Sequence, residues 1–529
     1  VISRLGSSTL RWRAQGAFPA LYARMVTEAR DLRIAPILLL LSAIFIALLV
    51  GAFVGLFGGA LGYASLFYLA AMLIAAISLF KVASTPRVIA FPVLAVVIGL
   101  PILGYTLPPR RFGLTLFDVV MIVLGVRLLW ITVTSLRGQG LRVSLLPSKV
   151  WLAIYALMVP SIIFSQFRRE SIVAFLLSLL VYLFFVALAH ELQQSARRDI
   201  LLRAFIWCTI FLGLGFLVER VSGLNLALQT FNLNQAGVTG GVLVLRMRGF
   251  FGDPQKGAQF MACAVVFLSV LLVRGRFKDS KTRLLAMLAL AIGIEGLLLT
   301  ASRGALAAAA VMLPISLLVF NRWFWIPKAL AILLVAASLW GATEMPRGTF
   351  TSLLPATVAA RLSGIEESAE FRKRIWFDTW EMYADHPLQG IGLGSFGPYM
   401  ERALKTTGRY MDFGRTANVG YIPDQPESGY FKILYEGGIL GSTAAALLVI
   451  FTLIRLISAV RSATVSAEQK TEAIAAFAAL SVFAITFVTL FTLSDRRIAV
   501  LLVFMLAFVW APTLVDPAAK VQRQPAPAL

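Results

Sequence analysis

The sequence predicts an all-α integral membrane protein with about 14 transmembrane helices and one large outer loop. Three observations carry that expectation. Of 529 residues, 59% are hydrophobic and 14% charged, where a soluble chain has about 25% charged residues. Apolar windows of about 20 residues, each long enough to cross roughly 30 Å of hydrocarbon as a helix, recur along most of the chain. Lysine and arginine gather in alternate links between those windows, the asymmetry that cytosolic loops carry. The formal charge of +22 therefore reads as a topology signal, and nucleic acid is not needed as a partner to explain it.

The arm 1–33 scatters arginines from Arg4 to Arg33 among Leu and Ala, with no compact apolar core ahead of a cleavage site. It is expected to stay in the cytosol and to lie on anionic lipid. Spans are expected at 34–57, 61–80, 88–107, 116–135, 150–167, 171–190, 200–218, 257–273, 284–301, 304–320 and 326–342, then at 437–454, 472–491 and 497–512. The membrane region 34–342 thus includes an outer segment, 219–256; a large outer loop, 343–436, precedes the C-terminal helices 437–512 and a cytosolic tail, 513–529. Cys208 and Cys263 fall inside apolar spans and read as packing residues, not as a disulfide or zinc ligands.

Long loops are uncommon without a task, so the two outer segments are the place to look for chemistry. In the larger, SAEFRKRIWFDTWEMYADHP sets Phe371, Ile375, Trp376 and Tyr383 at the spacing of an amphipathic helix that Pro387 ends. GIGLGSFG follows, and Gly390, Gly392, Gly394 and Gly397 suit either a turn that cradles phosphate or a plain turn back to the membrane. Next comes YIPDQPESGYFKILYEGGILG, where polar residues give way to an apolar helix at Glu427. That carboxylate is either an acid at a helix N-terminus or a partly desolvated proton acceptor. Arginine at the edge of hydrocarbon needs a partner, and Arg303 in LLLTASRGALAAAA, Arg248 in RMRGFFGDP and Arg372 share the outer side. Guanidinium forks match phosphate oxygens bidentately, so their common side suits a phosphorylated lipid head with Glu427 as base. His190 and His386 have no second His or Cys at ligand spacing, so no metal site and no cofactor are expected. Arg127 and Glu295, near the middle of their spans, read as a buried ion pair, with a transport path as the other reading.

Four of these motifs in order resemble the O-antigen ligase and O-antigen polymerase superfamily of bacterial membrane glycosyltransferases. They are RGFFGDP; Ser302, Arg303 and Gly304 between two spans; Arg372 and Trp376 ahead of Pro387 and GIGLGSF; and Glu427 and Ser428 before LYEGGILG. The resemblance implies a GT-C-like helical fold and a metal-independent, inverting transfer of a glycan from an undecaprenyl-diphosphate-linked donor to a glycan or lipid-linked acceptor. It implies catalysis by Glu427 and diphosphate binding by Arg248, Arg303 and Arg372, with Trp376, His386 and Tyr430 in support. Glu427 stands where the ligases carry His, which leaves the acceptor open: a growing polysaccharide, lipid A core or a protein. The implied setting is the bacterial inner membrane, among membrane lipids, a flippase and a chain-length regulator, with both termini cytosolic. A carrier of anions or lipid-linked glycans is the reading from another class.

Overall fold

The computed structural model describes residues 149–192, 195–222, 236–239, 242–251, 253–320, 372–373, 375–377, 379–407, 425–493 and 495–514. The N-terminal arm, the spans expected from 34–57 to 116–135, the span at 326–342, the tail and Arg127 lie outside these residues.

The remaining expected spans coincide with helices: α1 (Lys149–Ile163), α2 (Arg168–Glu191), α3 (Ser195–Ser222), α4 (Pro254–Val273), α5 (Ser280–Leu299), α6 (Arg303–Phe320), α9 (Gly429–Arg461), α10 (Ala467–Thr486) and α11 (Arg496–Trp510). Among the described residues between α6 and α9 are the short helices α7 (Glu381–Asp385) and α8 (Phe396–Thr407). Six helices among the described residues are long and apolar enough to cross a membrane, which makes this a multi-pass membrane protein. The helix expected from 437 begins earlier than the hydropathy suggests, because α9 starts at Gly429. The segment 219–256 also departs from an all-α chain. Strands β1 (Ala236–Thr239) and β2 (Val242–Leu245) pair antiparallel, Ala236 opposite Leu245, as β-branched residues on either side of two glycines favour.

Local sequence fixes where the helices begin. Asp253 caps α4 through the Gln255 amide and is followed by Pro254, Asp279 caps α5, and Ser466 forms a capping box with Gln469 on α10. Each of these side chains satisfies amides that the first helical turn leaves unpaired.

In lipid the hydrophobic effect does not drive helices together, and close packing of small residues takes its place. The α4–α10 contact follows that rule: Ala258, Ala262, Cys263 and Ala264 on α4 and Ala475, Ala476, Ala478 and Ala479 on α10 are buried. The Cys263 thiol donates to the Ala479 carbonyl, and both cysteines are buried and in no disulfide, packing as expected. Gly293 on α5 seats against Val265 and Thr209, and Gly296 against Phe216. Trp151, Tyr182, Phe185 and Trp510 form one aromatic cluster that joins α1, α2 and α11. Glu295, by contrast, is exposed on α5 rather than buried.

The longest helix is broken. Gly438 in α9 has φ 61° and ψ −157°, a conformation only glycine adopts without strain. From the break to Arg461 the helix rises roughly 34 Å, and the 20-residue α10 beside it about 30 Å. The break is therefore level with the end of α10. The first turns of α9 still bond to Phe487 just past that end, so they cross the end of the bundle instead of standing away from it.

Candidate functional site

The segment after α10 packs against chain neighbours of Glu427 and Arg303 and, through Arg497, against the loop that holds Arg248. On one side the Gly429 amide donates to the Phe487 carbonyl at 2.8 Å, and the Phe487 ring lies so close that a Cβ at Gly429 would collide with it. The Tyr430 hydroxyl donates to the Ala484 carbonyl at 2.9 Å. On the other side Gly304, next to Arg303, faces Thr489, whose Oγ1 would be 2.8 Å from an added Cβ. Gln259 of α4 binds Thr486 through its amide nitrogen and Thr492 through its oxygen, which fixes this segment to the core.

Asp495 ends the segment as the N-cap of α11 and holds Arg497 at two points, 2.9 and 2.6 Å. Burial alone would raise the Asp495 pKa, but the Arg497 charge and its hydrogen bonds keep it well below the usual carboxylate range. Arg497 in turn donates to the Phe250 carbonyl at 2.6 Å and lies 4.6 Å from the Phe251 ring. The loop holding Arg248 is thereby pinned to the same end. It is pinned a second time at the turn between α5 and α6: the Met247 amide reaches the Leu299 carbonyl at 3.1 Å and Arg246 Nε the Thr300 carbonyl at 3.2 Å.

Arg248 itself is 1% exposed. Its backbone amide and that of Gly249 both donate to Glu219 Oε2 at 2.6 Å. Its side-chain Nε and Nη2 are buried without a hydrogen-bond partner. Burial pushes the guanidinium below the ordinary arginine range, against the pull of Glu219 and Asp253. Leaving such donors unmatched costs about 1–3 kcal/mol or more, so packing does not account for them.

Glu427 is not the cap of α9. Ser428 is, accepting the Phe431 amide on its hydroxyl, and Glu427 sits one residue outside with φ 53°. Among the described residues the other non-glycine with positive φ is Ala301, at 48°, two residues ahead of Arg303. A left-handed non-glycine residue is a strained one, and such strain gathers at functional sites. Trp376 holds the Glu427 backbone in place. Its indole donates to the Pro426 carbonyl at 2.8 Å, its ring stacks on Phe431 with centroids 5.0 Å apart, and its own carbonyl accepts the Tyr435 hydroxyl at 2.7 Å. Arg372 lies four residues before that indole; residues 372–373 and 375–377 are helical, and a turn at 379–380 separates them from α7, so the helix expected through Tyr383 is interrupted. Tyr430 ties the start of α9 to α10, and the His386 carbonyl accepts the Gly390 amide.

The glycine run is not a phosphate cradle. Gly390, Gly392 and Gly394 all have positive φ, and residues 387–392 lie along the break in α9. There the Ile391 and Gly392 amides donate to the Tyr435 and Glu436 carbonyls, and the Pro387 and Leu388 carbonyls accept from Ile439 and Leu440. The amides of Gly394 and Phe396 point at the Glu436 carboxylate, at 2.9 and 3.1 Å. The protein's own anion fills the nest. Sequence reasoning missed Glu436, although two glycines directly after it in an apolar helix signal a break, and it missed Asp495, although Ser-Asp-Arg-Arg before an apolar run signals a cap.

Residues 286–449 match the family model described as O-antigen ligase, which bears out the resemblance to the O-antigen ligase and O-antigen polymerase superfamily and supports glycan transfer of the ligase or polymerase type. The matched stretch holds Arg303, Arg372, Trp376, His386, Glu427 and Tyr430; Arg248 lies ahead of it. No curated protein matches the sequence.

Proposed function

Taking that superfamily as the premise, we propose that the chain polymerises or transfers undecaprenyl-diphosphate-linked polysaccharide units at the outer face of the bacterial inner membrane. Glu427 takes the proton of an acceptor sugar hydroxyl, and the freed oxygen attacks the anomeric carbon of the donor. The bond from that carbon to the diphosphate oxygen breaks with inversion, and undecaprenyl diphosphate leaves. Arg248, Arg303 and Arg372 bind the diphosphate and offset the charge that grows on it, while Trp376 and Tyr430 hold the start of α9. No metal or other cofactor is invoked.

What supports this reading is the meeting of separate chain segments at one end of the bundle. The starts of α6 and α9, which follow Ala301 and Glu427, both rest on residues 487–489, and the loop of Arg248 is pinned to the same end by Arg497.

The test is Glu427→Gln in the purified, folded protein, assayed in detergent micelles with a lipid-linked glycan donor. Removing a general base is expected to lower transfer by about 10²–10⁴-fold with the thermal transition unchanged; full activity would remove Glu427 from the mechanism. A micelle has no sides, so product formed by the wild type speaks for an enzyme and against a carrier. Product length then separates a polymerase, which extends the lipid-linked glycan, from a ligase, which moves it to another molecule.

A further inference from the structure

We propose that Glu436 is a positioning residue, a latch that holds the break in α9 and with it the short arm that presents Glu427. The inference rests on the reaction proposed above. It starts from what a helix break costs in a membrane protein: amides and carbonyls on either side lose their partners, and lipid offers none. Residues 387–392 supply those partners along the break, but such a segment has to be kept in place.

Glu436 does so from inside the helix. Its carboxylate is buried, 8% exposed, and its two oxygens take the Gly394 and Phe396 amides. Lys432, one turn earlier on the arm, lies 3.2 Å from Oε1 and balances the charge. The Lys432 ammonium also sits 4.5 Å from the Phe491 ring and 5.8 Å from the Phe396 ring, so it touches both the segment after α10 and the start of α8. The far side of the glycine run is fixed as well. Gly392 packs against Ser165 and Ser171 so tightly that a Cβ would collide with both, and the Ser165 hydroxyl donates to the Ile391 carbonyl at 3.2 Å.

One carboxylate thus joins the arm of α9 to the glycine run, which itself packs on the α1–α2 turn. Glu436 is nine residues from Glu427 along that arm, too far along a helix to share a substrate atom with it, and its oxygens are already engaged. Its effect on the reaction is therefore through the angle of the arm. An arm set wrong by about 1 Å costs a reaction on the order of a hundredfold.

The experiment compares wild type, Glu436→Ala and Glu436→Gln, each as the full chain in micelles, by hydrogen exchange and by transfer from a lipid-linked glycan donor. Glu436→Ala is expected to speed exchange at the Gly394 and Phe396 amides, to leave exchange in α4 and α11 as in wild type, and to lower kcat about ten- to a hundredfold with the donor KM within about twofold. Glu436→Gln, which keeps one acceptor oxygen, is expected to fall between. Unchanged exchange at Gly394 and Phe396 would overturn the latch. Faster exchange with wild-type kcat would overturn the positioning role. Lost protection in α4 and α11 together with these amides would show a general structural role and overturn it too. A wild type that exchanges as expected but forms no product would sink the proposed reaction, and this role with it, whereas an active wild type with an indifferent Glu436→Ala would sink this role alone.

Discussion

The two ends of the helical bundle surround buried arginine with different partners. At the end where α4 meets α5, Arg276 binds Asp199 of α3 at 2.5 Å and Glu472 of α10 at 2.6 Å, and Arg198 lies 3.7 Å from the same Glu472. Two cations meet two carboxylates, and the cluster ties α3, α10 and the α4–α5 turn together. At the end that carries Glu427, the carboxylate nearest Arg248 spends one oxygen on two backbone amides, and two guanidinium nitrogens are left buried without a partner. In the first arrangement each charge has an opposite charge within 4 Å, as a structural ion pair needs, although Arg198 Nε and Nη1 also lack a hydrogen bond. The second spends stability, and in a marginally stable chain that cost persists where it serves a reaction.

The sharpest way to break this contrast is Arg248→Met. Taking away a donor aimed at developing negative charge typically costs about 10²–10³ in rate, so transfer is expected to fall by at least a hundredfold. Thermal stability is expected to hold or rise, because the substitution removes unmatched buried donors while the Glu219 bonds to the Arg248 and Gly249 amides remain. A rate loss accompanied by an equal loss of folded protein would make Arg248 a structural residue and erase the difference between the ends.

Arg276→Met is the converse. It leaves Asp199 and the buried Glu472 without their main partner, which is expected to cost about 3–5 kcal/mol of stability, measured by denaturant or thermal unfolding. Activity per folded molecule is expected to stay within about twofold. A selective loss of turnover with stability intact would place chemistry at the wrong end.

These two residues also show what a sequence can and cannot say. The spans were legible because a helix in lipid must be apolar over its whole length, and cysteine packing followed from their position. The candidate arginines and Glu427 were legible because charge at the edge of hydrocarbon is rare enough to stand out one residue at a time. Partnership was not. Nothing in the chain near Arg276 names Glu472, 196 residues on, as its partner, and nothing near Arg248 says that its nearest carboxylate is otherwise engaged. The glycine run misled for the same reason: a string of glycines announces close backbone approach but not what approaches, and here it is the broken turn of α9 and Glu436. That Ser428 and not Glu427 caps α9 was not legible either, because both residue types suit a helix start and only the backbone angles separate them.

A smaller effect is expected from Asp495, the paired carboxylate at the Glu427 end. Its pKa lies below the unfolded value of 3.8, so its contribution to stability is complete above about pH 4 and is lost as the pH falls through the lower, folded value. Asp495→Asn is expected to cost about 1–3 kcal/mol at neutral pH, and the gap between variant and wild type is expected to close as the pH drops below about 4. A gap that stays constant down to pH 2 would mean that shape and not charge fixes Arg497, and so the Phe250 loop.

The smallest effect belongs to the exposed margin of the Arg276 end. Lys278 and Glu468 approach to 2.7 Å, but the lysine is 82% exposed, and an ion pair in water gains little once its side chains are ordered. Lys278→Met is expected to change stability by less than about 1 kcal/mol, and by less still in high salt, where the Debye length falls to about 3 Å at 1 M. The value of the measurement lies in its ratio to Arg276→Met. A large ratio says that burial, not the number of charges, decides what this end contributes. A ratio near one would mean that the whole cluster is surface decoration, and the contrast with Arg248 would then have to rest on the Glu427 end alone.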